Sequence, residues 1–285
     1  GLLAAARSPR QLSAAAMAEA TTPPFDRADV GFNALAGWTW LGTYGGYYLQ
    51  SDLLAGFEHG FFSRQWHGRG PHELAGSISA GVSVHRTRQI HGAAVVPAAA
   101  AIAEPWPEAD GLVSDAGGQS LWVCGADCTP VLIADLGSGR VAACHAGWRG
   151  VAGRIVPAAI EQLEASGSRR HDLRVALGPA ISGPEYQVHR SVSLQVAAAL
   201  APSPLSSEAA LARLAQAGAH QADSRPDHDR LDIRRATAAQ LRAAGLRDEQ
   251  ISVCPLCTSS EPLLFHSWRR DQVKAVQWSG IVSQG

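Results

Sequence analysis

The chain has 285 residues, 46% of them hydrophobic and 17% charged, which is enough apolar content for one large core or two small ones and too much for a disordered protein. A formal net charge of -1 leaves no global basic field for nucleic acid or a membrane surface. No apolar run approaches the ~20 residues that span a bilayer.

The sequence begins at Gly1 and reads as a fragment or a processed form. Residues 1–18 contain Arg7, Arg10, several Ser and Ala and no acidic residue, a composition that suits the end of a chloroplast or mitochondrial transit peptide. With Met17 as the true start instead, the protein is cytoplasmic. In either case residues 1–24 stand outside the fold, and residues 25–285 form the domain.

From Phe25 to Asp52 the chain is rich in Gly and aromatics, and Gly45-Gly46 predicts a turn between two short strands. Phe57 to Arg64 predicts a strand ending in a polar loop, and Pro71 opens a short helix. Val82 to His91 alternates as a strand, closing at Gly92. Residues 93–109, rich in Ala and Pro, predict a surface connection. Ala109 to Val113 leads to a turn at Gly117-Gly118, and Leu121 to Cys124 is a buried strand. Val131 to Ala134 and Val141 to Cys144, separated by Gly137-Ser138-Gly139, predict a hairpin.

A helix is expected over 150–166, with Val151, Ile155, Ala159, Ile160 and Leu163 in register and Gly167 as its stop. Leu173 to Leu177 is a strand and Val192 to Leu200 a helix. Residues 201–229 predict a variable insertion or flexible loop. Ile233 to Ala244 is an amphipathic helix stopped by Gly245, Ile251 to Val253 a strand, and Phe265 to Ile281 a hairpin. This interleaving predicts an α/β fold, a mixed α+β sandwich, with a mixed central β-sheet flanked by helices in a single domain.

The five cysteines, Cys124, Cys128, Cys144, Cys254 and Cys257, are an odd number placed within apolar runs, which fits a reducing compartment better than a disulfide framework. Cys254 and Cys257 form a lone C-x-x-C, for which a structural or substrate-site role of Cys257 is expected.

Three segments place a reactive side chain where an apolar strand gives way to small residues. They are Gln89-Ile90-His91-Gly92, Ala126-Asp127-Cys128-Thr129-Pro130 and His145-Ala146-Gly147-Trp148-Arg149-Gly150. Strand ends in α/β proteins face the ligand crevice. Two imidazoles and a thiolate suit zinc or copper, and three protein ligands leave a fourth position for water or substrate. From spacing alone these remain as readily three unrelated polar loop residues, and Cys128 activated by His145 without metal is a further reading. A metal-stabilised binding module without catalysis is another. The remaining histidines weighed, His59, His67, His72, His85, His171, His189, His220 and His228, are assigned to surface or core.

The segments ADGLVS, ADCTPVLIAD, VAACHAGWRG, ALGPAISGPEYQV and CTSSEPLLFHSWRRD, with RQIHG and HGFFSR, resemble the laccase-domain family, long labelled multicopper polyphenol oxidases. That family is better described as purine nucleoside phosphorylases with adenosine deaminase and methylthioadenosine phosphorylase activity. The resemblance runs from Phe57 to Ser283, and the tail KAVQWSGIVS is most similar to the cyanobacterial and plastid branch. It implies an α/β sandwich, a zinc ion (copper as the alternative) on His91, Cys128 and His145, and purine nucleosides and phosphate as partners. After HGFFSR the chain departs from the family's Gly-Gly-Val-Ser loop and reads Gln65-Trp66-His67-Gly68-Arg69.

Within that resemblance Arg149 is the first candidate for phosphate, because a planar guanidinium binds oxyanions bidentately. Arg64 and Arg269 come second, while Arg270 is as readily a solvated residue of a hairpin. Gln89, Cys257 and Ser267 join them as substrate-binding candidates. Deamination needs a proton carrier, for which Asp127 is the nearest acid, although orienting a ligand is its favoured role. A multicopper cluster would need more His ligands than His91 and His145. The oligomeric state, monomer or homodimer, is left open.

Overall fold

The runs at 131–134 and 141–144 are apolar at every position, so both faces of the strands they form must be covered. A computed structural model, which describes residues 35–201, 203 and 205–285, shows how. The runs lie in strands β8 (Thr129–Asp135) and β9 (Val141–Ala146), an antiparallel pair as expected. Val131, Ile133, Ala142 and Cys144 pack on one side into a core shared with helices. Leu132, Ala134, Val141 and Ala143 pack on the other into a core shared with a second sheet. The targeting segment expected at 1–24 lies outside the described residues.

The first sheet has the order β14 (Ile251–Val253), β10 (Leu173–Leu177), β8, β9, β6 (Gly111–Val113), β5 (Val95–Pro97). Its two outer pairs are parallel and the inner ones antiparallel, so the sheet is mixed. The second sheet runs β1 (Trp38–Thr43), β2 (Gly46–Ser51), β3 (His59–Phe62), β15 (Gln277–Val282), β7 (Gln119–Gly125), β4 (Ser83–His85). Gly45 and Gly46 make its first turn with φ of 115° and 144°, a region open to glycine but not to most residues. Alternation along its strands divides the side chains. Phe61, Leu121, Val123 and Ile281 face the first sheet, whereas Phe62 and Trp122 face Trp66, Leu74 and Ala75, the last two from helix α1 (Pro71–Ile78). The layers are therefore helix, sheet, sheet, helices, a mixed sandwich in one domain. Where one central sheet was expected, two lie face to face.

Five expectations about individual segments are corrected. The helix expected over 150–166 is two helices, α2 (Trp148–Ala152) and α3 (Ile155–Ala165), joined through Gly153 and a left-handed Arg154 at φ 61°. Pro157 has no N–H for the carbonyl of residue 153, which stops a continuous helix there. A Cβ on Gly153 would stand 2.7 Å from that of Ala93, so the break also seats the chain beside the His91 turn. Residues 93–109 are not merely a surface connection, since β5 pairs with β6 and Ala98 and Ala101 are fully buried.

The segment 201–229 is largely ordered. After α4 (Arg190–Ala198) come helix α5 (Ser207–Gln216), capped by Ser206, and strands β12 (His220–Ala222) and β13 (His228–Leu231). With β11 (Gln187–His189) these strands form a third sheet. Ala210 and Leu214, one turn apart, carry α5 onto the core, a short apolar pair that the polar composition hid. Helix α6 (Ile233–Ala243) and its stop at Gly245 (φ 93°) are as expected. The tail is no hairpin: a short helix α7 (Trp268–Asp271), capped by Ser267, precedes β15, which pairs with β3 and β7. Likewise only 83–85 of the strand expected over 82–91 is extended in a sheet; the rest leaves it to reach the site.

Candidate metal centre

His91, Cys128 and His145 come together. Their ligand atoms all lie within 4.8 Å of one another, the one such group among the described residues. Ladder register sets part of this arrangement, because Thr129 pairs with Ala146 and Pro130 with His145, which leaves Cys128 at the mouth of the hairpin beside His145. Gly147 follows at the N-terminus of α2. A Cβ there would stand 2.8 Å from Cys128 Sγ and 3.8 Å from His91 Cδ2, so only glycine lets the loop pass the ligands.

The residue that organises the cluster is Asp110, fully buried at the start of β6. Its carboxylate accepts backbone N–H bonds from Ile90 (2.9 Å), His91 (3.0 Å) and Gly92 (3.0 Å), and a bond from His145 Nδ1 at 2.7 Å. Three successive N–H groups converging on one anion form a nest, which holds His91 at a left-handed φ of 61°. Burial alone would raise the Asp110 carboxyl, but the His145 bond and the backbone donors outweigh it and hold it below its usual range. An ionised carboxylate only accepts, so Nδ1 of His145 carries the proton and Nε2 is left for the cluster.

Cys128 shows the same competition. Burial would raise its thiol, yet hydrogen bonds and charge from His145 and His91 bring it down to about 6. For His145, burial is outweighed by Asp110 and Cys128, which push it up to about 9. The buried Cys144 goes the other way, to about 12, through desolvation. The two rings thus favour the thiolate of Cys128, the form in which sulfur binds a soft cation. The donor set of two imidazoles, one thiolate and a carboxylate behind one imidazole fits zinc.

The other candidates are placed as follows. Arg149 is exposed in the first turn of α2, with its guanidinium 4.5 Å from the Trp148 ring and no hydrogen bond to the described residues. Arg269 stacks on Tyr186 at 4.8 Å and donates to the Gln187 carbonyl. Asp127, at φ 118° beside Cys128, accepts from Thr258 Oγ1 and from the Arg269 N–H, both at 2.7 Å, so each of its oxygens holds a neighbouring segment. Gln89 both donates to and accepts from the Cys124 backbone, bracing the His91 segment on β7. Cys257 is buried and accepts from the Ser182 N–H, and Ser267 caps α7.

Arg64 lies elsewhere, in a cavity with His67, His266 and Arg270, where it donates to the Pro262 carbonyl. Arg270 is no solvated hairpin residue; its terminal nitrogens bind the carbonyls of Thr258, Ser259 and Phe265. Sequence reasoning did not single out Asp110 or Tyr186, although both sit in the quoted motifs ADGLVS and GPEYQV. Burial pushes the Tyr186 phenol up to about 12, with the Cys128 charge adding to it and Arg269 and Arg149 opposing, which puts the ring in the field of the site.

The chain has counterparts among known proteins. A Synechocystis protein named purine nucleoside phosphorylase is 42% identical over 261 residues, covering 86% of this chain and 97% of that one. A Bacillus subtilis protein of the same name is 36% identical over 58% of this chain and 55% of its own length. Among solved structures, YlmD from Geobacillus stearothermophilus superposes with a TM-score of 0.64 at 25% identity, over 90% of this chain and 95% of that one. A Bacillus licheniformis hypothetical protein, YfiH, gives 0.70 at 24% identity, covering 83% of this chain and 96% of its own. Residues 72–283 match the family model for multi-copper polyphenol oxidoreductase laccase. The chain, carrying the His91, Cys128 and His145 cluster within that span, belongs to this family.

Proposed function

We propose that this protein is a zinc-dependent purine nucleoside phosphorylase, acting on adenosine, inosine and methylthioadenosine, that also deaminates adenosine. The observation that carries the reading is the His91–Cys128–His145 cluster braced by Asp110, in a chain 42% identical to a protein named for that activity. A zinc ion held by these three residues would supply charge stabilisation and, for deamination, an activated water. The single three-ligand group among the described residues supports one metal position rather than the several a copper polyphenol oxidase needs.

Phosphorolysis breaks the C1′–N9 bond of the nucleoside and forms a C1′–oxygen bond to phosphate, so the chain must bind a dianion beside the sugar. Arg149 presents its guanidinium fork to solvent beside the cluster and is the phosphate ligand in this reading. Arg269, fixed against Tyr186 and the Gln187 carbonyl, orients the substrate from the opposite loop. Asp127 positions rather than carries protons, because both its oxygens are already engaged.

Incubating the purified protein with inosine or adenosine, with and without phosphate, tests the reading. Free hypoxanthine or adenine only when phosphate is present is the expected result, and inosine formed from adenosine reports deamination. Oxygen consumption with phenols and no base release overturns it. A second reading has an observation of its own: a thiol lowered to about 6 beside a histidine that is bonded to Asp110 is the arrangement of a cysteine nucleophile. Metal analysis separates the two, since full activity in metal-free protein favours the nucleophile.

A further inference from the structure

Away from the metal centre, a cavity of about 650 Å³ opens between α6, the loop at 182–184, the turn before β12 and the segment 253–255. None of His91, Asp110, Cys128 or His145 lines it. Among the described residues its charged lining is one-sided, with Arg230, Arg234, Arg235 and Arg242 against a single carboxylate, Asp232, while His220 and the Cys254 thiol also line it. Such a volume accommodates a small metabolite.

Three of these arginines come from one helix. Arg235, Ala238 and Arg242 lie at i, i+3 and i+7 of α6 and share a face, and the small, buried Ala238 leaves room between the two guanidinium groups. Facing them, Arg230 projects from β13. The acids near these side chains take the Nε edge: Asp223 accepts from Arg230 Nε at 2.8 Å, Asp248 from Arg242 Nε at 2.6 Å, and Asp232 lies 3.9 Å from Arg235 Nε. The terminal nitrogens of Arg235 and Arg242 have no hydrogen-bond partner among the described residues. Asp248 is 79% exposed, so it does little to neutralise Arg242.

Arg234 makes the case more demanding. It is 3% exposed and has no ion-pair partner among the described residues; its Nη1 donates to the carbonyls of Cys254 and Leu256. A buried cation without a counter-charge is costly, and an anion in the cavity would offset that cost. Asp232, the one acid in the lining, is already engaged by the N–H groups of Arg235 and Gly183. Among the described residues no Trp, Tyr or Phe lines the cavity, and His220 is its one aromatic ring.

We propose that this cavity is a binding site, separate from the metal centre, for a phosphorylated small molecule of sugar-phosphate size, whose phosphoryl dianion is gripped by the terminal nitrogens of Arg235 and Arg242. The proposal does not depend on the reaction assigned to the metal centre.

Isothermal titration of the full chain with ribose 5-phosphate and, separately, with inorganic phosphate tests it. The expected result is saturable ribose 5-phosphate binding that weakens at least tenfold in the Arg235→Gln/Arg242→Gln double variant, while metal content and the circular dichroism spectrum are unchanged. Both substituted residues are partly exposed, so the fold survives their loss. Inorganic phosphate binding as tightly, and lost in the same variant, assigns the site to the free anion; weaker phosphate binding assigns it to the ester. Absence of saturable binding by either probe overturns the proposal. So does binding that persists unchanged in the double variant, which would place the anion elsewhere, at the metal centre for instance.

Discussion

Asp110 and His145 are joined twice: the His145 ring donates to the Asp110 carboxylate at 2.7 Å, and the His145 backbone N–H donates to the Asp110 carbonyl at 2.7 Å. Ring orientation and strand position are thereby fixed by one residue. Asp110→Asn removes the charge that sets the His145 tautomer, and zinc affinity should fall about 10- to 100-fold, measured by competition with a chromophoric chelator. Unchanged affinity would remove Asp110 from the metal centre. Asp110→Ala also strands the N–H groups of Ile90, His91 and Gly92, with an expected loss of about 3 kcal/mol or more by urea unfolding.

Cys128→Ser and His91→Ala should both leave a folded protein with less than stoichiometric zinc and at least ~10²-fold less phosphorolysis. Two-sheet packing does not run through either side chain, so circular dichroism should be unaltered. Unfolding of His91→Ala in place of lost turnover would instead indicate a metal-stabilised binding module.

The Arg149 guanidinium has no hydrogen bond to the described residues and only the Trp148 ring beside it, so Arg149→Gln should act chiefly on substrate. A charged hydrogen bond contributes about 1.5–3 kcal/mol, so the KM for phosphate should rise ~10-fold or more while the KM for nucleoside changes little. Initial rates at varied phosphate decide this, and an unchanged phosphate KM would move the phosphate site to Arg64 or Arg269.

His59 gives the stability a defined pH dependence. Its ring donates from Nδ1 to the Phe57 carbonyl and accepts at Nε2 from the Ser51 N–H, which requires the neutral form. Burial lowers it from 6.5 to about 4, with the Phe57 bond opposing. Between these values the unfolded chain binds a proton that the folded chain refuses, so stability is full above pH 6.5 and declines as pH falls towards 4. The loss is about 3 kcal/mol. Urea midpoints between pH 7.5 and 4.5 should fall in the wild type, and fall less in His59→Gln.

Much of the fold was legible wherever one local signal dominated. The Gly45-Gly46 turn, the hairpin around Gly137-Ser138-Gly139 and the stop at Gly245 each follow from backbone freedom. What escaped depended on a single competing residue or on distant partners. Pro157 divides an otherwise perfect helical pattern. The apolar pair Ala210 and Leu214 was lost in a polar composition, and Val95–Pro97 is a strand only because β6 is there to receive it. At the site, His91, Cys128 and His145 were visible as reactive residues where apolar strands give way to small ones. Asp110 was not, because nothing in ADGLVS says that its carboxylate will meet a histidine 35 positions on. Gln89 and Asp127 looked free in sequence, and are used up by backbone groups of neighbouring segments.

The hairpin register has a consequence for how this centre tolerates change. The gap between Cys128 and His145 is counted in ladder rungs, from Thr129 opposite Ala146 outward to the turn. Residues added at the 136–140 turn lengthen the far end and leave the near end in step. One residue lost inside β9 turns His145 through to the helical side, and one lost inside β8 puts Cys128 out of step with it. The two ends of one hairpin therefore live under different rules, the far tip free to drift in length and the near mouth fixed to the single residue.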